Sequence, residues 1–189
     1  MRFDRVIALL LLALPAQAAV VERILAVVDG RPVLLSEVVV FQRVRGETER
    51  AALDGLIDEQ LMYREAARLP QAVPTADEEQ RAFESLRART PPAAPDEDEQ
   101  LRRVARRQAS ILKYVDFRFR PQVRVSEEAV RAAYDAQPAP AGASFEQAAP
   151  GLRARLADED LSRRIEEWVK ELRRSAEIRY NAAPEAGTS

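Results

Sequence analysis

The sequence predicts a mainly α-helical fold of about six helices, with a small β-hairpin near its start and one strand near its end. Three observations carry this. Apolar residues recur at steps of three and four along five separate stretches, the signature of one-sided helices. Only 6% of residues are aromatic, while Ala, Leu, Arg and Glu are abundant. The pair Asp29-Gly30 stands between two short apolar runs, and both central positions of a two-residue hairpin turn favour positive φ.

The chain opens MRFDRVIALLLLALPAQA. Arg2 and Arg5, the apolar run Val6 to Leu14 and the small-residue site Ala16-Gln17-Ala18 read as a cleavable secretory signal peptide over residues 1–18. The run is too short for a lasting membrane anchor, so the chain is expected to be exported. The chain has no Cys, which excludes disulfides and a lipid-modified cysteine. All but two of its 29 basic residues are Arg, yet acids are interleaved with them and the net charge is −2. A nucleic-acid partner calls for a basic excess, and none is present.

Ile24 to Val28 and Pro32 to Leu34 form the arms of the hairpin, with Pro32 at a sheet edge because it has no N–H to donate. Ser36 is placed to cap a first helix from Glu37. After Gly46 a second helix presents Leu53, Leu56, Ile57, Tyr63 and Ala67 on one face, with Gln60 in its middle, and Pro70 ends it. Thr75 with Glu78 is a capping box opening a third helix through Phe83 and Leu86. TPPAAP (Thr90 to Pro95) reads as a surface connection. The fourth helix, about Asp96 to Phe119, has a core stripe of Leu101, Val104, Ala105, Leu112, Val115 and Phe119. Tyr114 and Phe117 fall on its far side among Arg107, Arg118 and other arginines. Ser126 caps a fifth helix with Val130 and Tyr134 inward.

After a linker over 137–144 comes the last helix, read as starting at Gly151 with Pro150 in the first helical position. Leu161, Ile165, Trp168, Val169, Leu172 and Ala176 share one face, and burying six such side chains is worth about 10 kcal/mol gross. Only a strand-like Glu177 to Tyr180 and a disordered tail over 182–189 follow, so the partner of this stripe lies upstream and both ends belong to one domain spanning 19–181. Leu152 and Leu156 point the opposite way. Either the first turns contact a different group of elements or the helix kinks near Asp158. The expected core is thus Leu53, Ile57, Leu112, Leu161, Ile165, Trp168 and Leu172.

Four stretches together resemble the peptide-binding core of the SurA/PpiC-like periplasmic chaperones. They are ERILAVVDGRPVLLSEV, ALDGLIDEQLMYREAARL, VRVSEEAVRAAYDA and RIEEWVKELRRSAEIRY, and in order they cover most of residues 19–181. In that family the closing helix returns to pack on the first ones. Two departures matter. Family members carry parvulin-type prolyl isomerase modules between the fifth and last helices, whereas here only the short linker separates them. The chain also has no His, which parvulin sites use. The resemblance therefore implies the chaperone core without the isomerase module.

No residue set supports catalysis. Without His or Cys there is neither a nucleophile–base pair nor an ordinary zinc site, and no glycine-rich phosphate loop implies ATP. The acidic runs Asp96 to Glu99 and Asp158 to Asp160 lack calcium-loop spacing and read as solvated helix starts. No catalytic residue, metal or cofactor is expected. What is left is binding of unfolded exported chains, outer-membrane proteins among them as the resemblance implies, in a groove between the fourth helix and the first two. Tyr114 and Phe117 are its leading candidates, with Phe41, Tyr63, Arg107 and Arg118 as lesser ones. Alternatively, Tyr114 and Phe117 pack under the last helix against Leu152 and Leu156. The rival functions are an assembly subunit docking one folded partner, such as a separate isomerase, and a prolyl isomerase with an unrecognised site.

Overall fold

The computed structural model describes residues 22–90, 97–136 and 144–181. The signal-peptide, Pro-rich connection, linker and tail readings fall on residues outside these, apart from Thr90 and Ser144. The chain is mainly helical, six helices with a small three-stranded antiparallel sheet.

Strands β1 (Ile24–Val28) and β2 (Arg31–Leu34) form the hairpin, with Asp29 at φ 47° and Gly30 at φ 78°. The C-terminal strand β3 (Ile178–Tyr180) pairs with the other side of β1, Val28 opposite Ile178 and Ala26 opposite Tyr180. The order β2-β1-β3 leaves Pro32 on an edge strand, where its missing donor costs nothing. Asp29 also accepts the Glu177 N–H at 2.7 Å, tying the hairpin turn to the far end of the chain.

Helix α1 (Leu35–Arg45) starts earlier than the sequence reading, and Ser36 does not cap it. The Glu37 carboxylate accepts the Leu34 N–H, while the Ser36 hydroxyl donates to Glu22 at 2.8 Å. Helix α2 (Glu49–Ala66) is capped by Thr48, whose hydroxyl accepts the Ala51 N–H. Its buried face is rotated from the expected one. Ala52, Leu53, Leu56, Ile57 and Leu61 are buried, whereas Tyr63 is half-buried and Ala67 exposed. The helix packs between the sheet and α4, and Leu61 rather than Tyr63 continues the inward row.

Helix α3 (Ala76–Arg89) opens on the reciprocal Thr75–Glu78 capping box. Helix α4 (Glu97–Arg118) lies against α2 and α3. Helix α5 (Glu127–Ala136) is capped by Ser126, with Val130 buried. Helix α6 (Phe145–Ser175) is one uninterrupted helix of 31 residues, about 46 Å long.

Pro150 lies inside α6 instead of opening it. The Ser144 N–H is accepted by Gln147, which fixes the start six residues before Gly151. Pro150 then removes the bond to the Glu146 carbonyl within the second turn of the helix. Early turns of α6 meet α5, where Tyr134 meets Phe145 edge-on at 5.5 Å. Later turns meet α2 and the sheet-side core.

Two buried clusters result. One joins β1, β2, α1 and α2 around Leu56, Ile57 and Leu61, with Leu172 of α6 completing it and Trp168 and Ile178 packed on its rim. The other joins α1, α3 and α4 through Val40, Phe83, Leu86 and Leu101.

Candidate functional site

Where the two clusters part company, a cleft of about 940 Å³ opens between α1, α2, α4 and α6. Its back is a close helix contact. A Cβ added to Gly55 would stand 3.1 Å from the Phe41 ring, so glycine lets α1 and α2 approach and seats Phe41 in the floor. Phe41 is only 2% exposed. From α4 come Ile111, Leu112 and Val115, and from the facing side of α6 come Ile165 and Val169. Met62 and Val44 complete the apolar lining.

Leu112, expected in the core, is 57% exposed. It does lie on the same stripe as Leu101, Val104 and Val115. The stripe passes α3 and α1 and then runs on across the cleft, where none of the described helices covers it. Ile165 is likewise half-buried in the cleft wall, while Leu161 and Leu172 on the same stripe are buried.

Charges of both signs edge this apolar surface. The Arg173 guanidinium pairs with Asp58 and donates to the Asp54 carbonyl at 2.8 Å; Tyr180 donates to the Asp54 carboxylate at 2.7 Å. This network binds α2, α6 and β3 together at one end of the cleft. Burial pushes the Asp58 carboxyl above its ordinary range, although the adjacent Arg173 pulls the other way. Deeper in, Glu59 accepts from Arg107 at 2.8 Å and from Gln108 at 3.1 Å. Glu166 and Lys170 stand exposed at the rim. The lining holds no Ser, Thr, Cys or His; it offers shape, apolar area and charged side chains of both signs. Among the described residues no group of three or more His, Cys, Asp or Glu would hold a metal ion.

The other sequence candidates lie elsewhere. Tyr114 stacks on Trp168, ring centroids 4.9 Å apart and planes 14° from parallel, and Phe119 closes the cluster at 5.3 Å from Trp168. Tyr114 thus packs under α6, against Trp168 and not against Leu152 or Leu156. The helical spacing puts Tyr114 on the far side of α4, and Trp168 of α6 packs against that side as well. Phe117 is 53% exposed and outside the cleft, and Arg118 stands 6.0 Å from the Phe119 ring. Tyr63 and Arg107 line a separate pocket on the opposite face of α2.

Met62, Ile111 and Gly55 went unremarked in the sequence. Ile111 beside Leu112 widens the apolar arc of α4 beyond what one neighbouring helix covers, and that was the available signal. Gly55 inside a helix was the other, since mid-helix glycine is unfavourable unless something approaches closely. No protein-family model matches the chain, and no curated protein matches it.

Proposed function

We propose that the protein is an ATP-independent periplasmic chaperone of the SurA type, reduced to its polypeptide-binding core and without isomerase activity. It holds unfolded exported proteins, outer-membrane proteins among them. The observation that carries this reading is the cleft: about 940 Å³, lined by Val, Leu, Ile and Met, with Leu112 more than half exposed. Apolar area left open in this way lowers its free energy by roughly 25 cal/mol per Å² when a client's apolar side chains cover it. Met62, unbranched and flexible, lets the otherwise stiff Val and Ile lining follow more than one client shape. Rim charges of both signs reject no particular client, as a broad-range binder requires.

Reversible capture of unfolded chain lowers its free concentration and so slows aggregation. Nothing in that cycle calls for a nucleotide. The family resemblance and the hydrophobic run at residues 6–14 support the periplasmic setting.

The test is suppression of aggregation of a denatured outer-membrane protein by the full-length mature chain. Leu112→Glu combined with Val169→Glu is expected to abolish protection while the melting temperature holds within a few degrees. Unchanged protection would remove the cleft from the mechanism. Capture of one folded protein with no effect on unfolded ones would favour an adaptor. A proline-peptide isomerisation assay is expected to give no rate above the uncatalysed one.

A further inference from the structure

We propose that the arginine-lined pocket on the opposite face of α2 takes an acidic segment of polypeptide. This pocket, about 560 Å³, is enclosed by the start of β2, the C-terminal half of α2 and Arg107 from α4. Its volume lies within the roughly 300–1,000 Å³ range of ligand sites. Arg31, Arg64, Arg68 and Arg107 line it, and no carboxylate does.

Their partners sit outside the lining. Asp29 pairs with Arg64, Glu65 with Arg68 at 2.9 Å and Glu59 with Arg107 at 2.8 Å. Arg31 has no ion-pair partner among the described residues, and the buried Arg64 Nε has no hydrogen-bond acceptor. Each guanidinium carries five N–H donors, so even the paired ones keep donors in reserve. Gln60 and Tyr63 add an amide and a hydroxyl. The wall is rich in donors and cations and short of acceptors, which selects an anion.

The rest of the lining narrows the class. Val28, Pro32 and Leu61 supply apolar surface, and the space far exceeds one phosphate, so the anion comes attached to an apolar body. A bilayer is disfavoured because none of the exposed large apolar side chains lines this pocket to enter lipid. Strand addition to β2 is also blocked. Pro32 has no N–H, and the Leu34 N–H is taken by Glu37. The occupant is therefore gripped through Asp or Glu carboxylates, with its apolar neighbours resting on Val28, Pro32 and Leu61. The chain as a whole is net negative, so attraction of an acidic peptide would be a property of this pocket and not of overall charge.

The pocket and the cleft open on opposite faces of α2 and are linked through the buried Arg107–Glu59 pair. Fluorescence anisotropy of a labelled peptide alternating Glu and Leu, titrated with the full-length mature chain at low salt, tests it. Its Gln-for-Glu counterpart is the control. The Glu peptide is expected to bind at least tenfold more tightly and to weaken steeply with salt. Arg31→Gln with Arg68→Gln, both at exposed positions, should cost at least tenfold, whereas Leu112→Glu, which removes only binding to the cleft, should leave the salt-sensitive binding of the Glu peptide in place. Equal binding of the Gln peptide, or no effect of the arginine pair, overturns the proposal. So does loss of binding in Leu112→Glu, which would place the peptide in the cleft. Inorganic phosphate competing at the peptide's own concentration, or phosphatidylglycerol vesicles binding more tightly with the same arginine dependence, would overturn the polypeptide assignment.

Discussion

Leu56 and Ile57 on α2 are fully shut away from water, whereas Leu112 on α4 and Val169 on α6 face the cleft. All four sit on apolar stripes of ordinary helical spacing. The difference is what lies opposite. The α2 stripe meets the sheet, α1 and the end of α6 at once, and Leu172 closes the last gap. The α4 and α6 stripes meet partners at their ends and open space between. A stripe says which residues share a face; only the arrangement of the other elements says whether that face is dry.

The contrast is broken most severely by removing what seals the α2 side. Truncation before Phe145 deletes Leu172, Trp168 and β3 and bares the central cluster, so the product is expected to be unfolded or aggregating by circular dichroism and sedimentation. A soluble fragment that melts cooperatively would show that α6 is dispensable. Next in size, Leu56→Ala should cost about 2–5 kcal/mol by denaturant unfolding, since the site cannot collapse around the void. Protection of clients per folded molecule should be unaffected.

Arg107→Ala comes next. It strips the main partner from the buried Glu59 carboxylate, and breaking a buried pair costs about 3–5 kcal/mol; Gln108, which still donates to Glu59, puts the expected loss at the low end. Arg107→Met with Glu59→Leu should recover much of that loss.

The smallest effect is electrostatic. The Lys113 ammonium and the Thr75 N–H hold the exposed Glu78 carboxyl down at about 2, from an ordinary 4.5. A carboxylate held low in the folded state adds stability above its unfolded pKa and loses it as pH falls through the folded one. Asp29 and Asp160, lowered chiefly by Arg64 and Arg164, act in the same direction, and Asp58, raised by burial, acts in the opposite one. The melting temperature should therefore fall as pH goes from about 4.5 towards 2. Lys113→Ala should make that fall shallower, and an unchanged slope would remove Glu78 from the acid limb.

Much of the scaffold was legible because its signals are local. Asp29-Gly30 needs only its own φ values, and Thr75-Glu78 only its own hydrogen bonds. Helix α6 starts earlier than its sequence suggests because Pro150 is a strong local signal that the Ser144–Gln147 cap overrides. The site was less legible. The sequence reading puts a groove between the fourth helix and the first two; the cleft found there has α6 as a further wall, and most of its lining was not legible. Tyr114 looked free because it lies off the α4 stripe, yet Trp168 from 54 residues away stacks on it. Leu112 reads as buried because it lies on the stripe, yet among the described residues nothing crosses above it. Both errors come from contacts between elements distant in sequence, which periodicity along one helix does not encode.

Val73 and Leu112 offer the most direct test, because they are exposed to nearly the same extent, 58% and 57%, and only Leu112 lies in the cleft. A photo-crosslinking amino acid placed at each position in turn, in the presence of a denatured outer-membrane protein, should give strong client adducts from position 112 and few from 73. Equal adducts from both positions would mean that unfolded chain meets any exposed apolar side chain alike, and the cleft would not be a binding site.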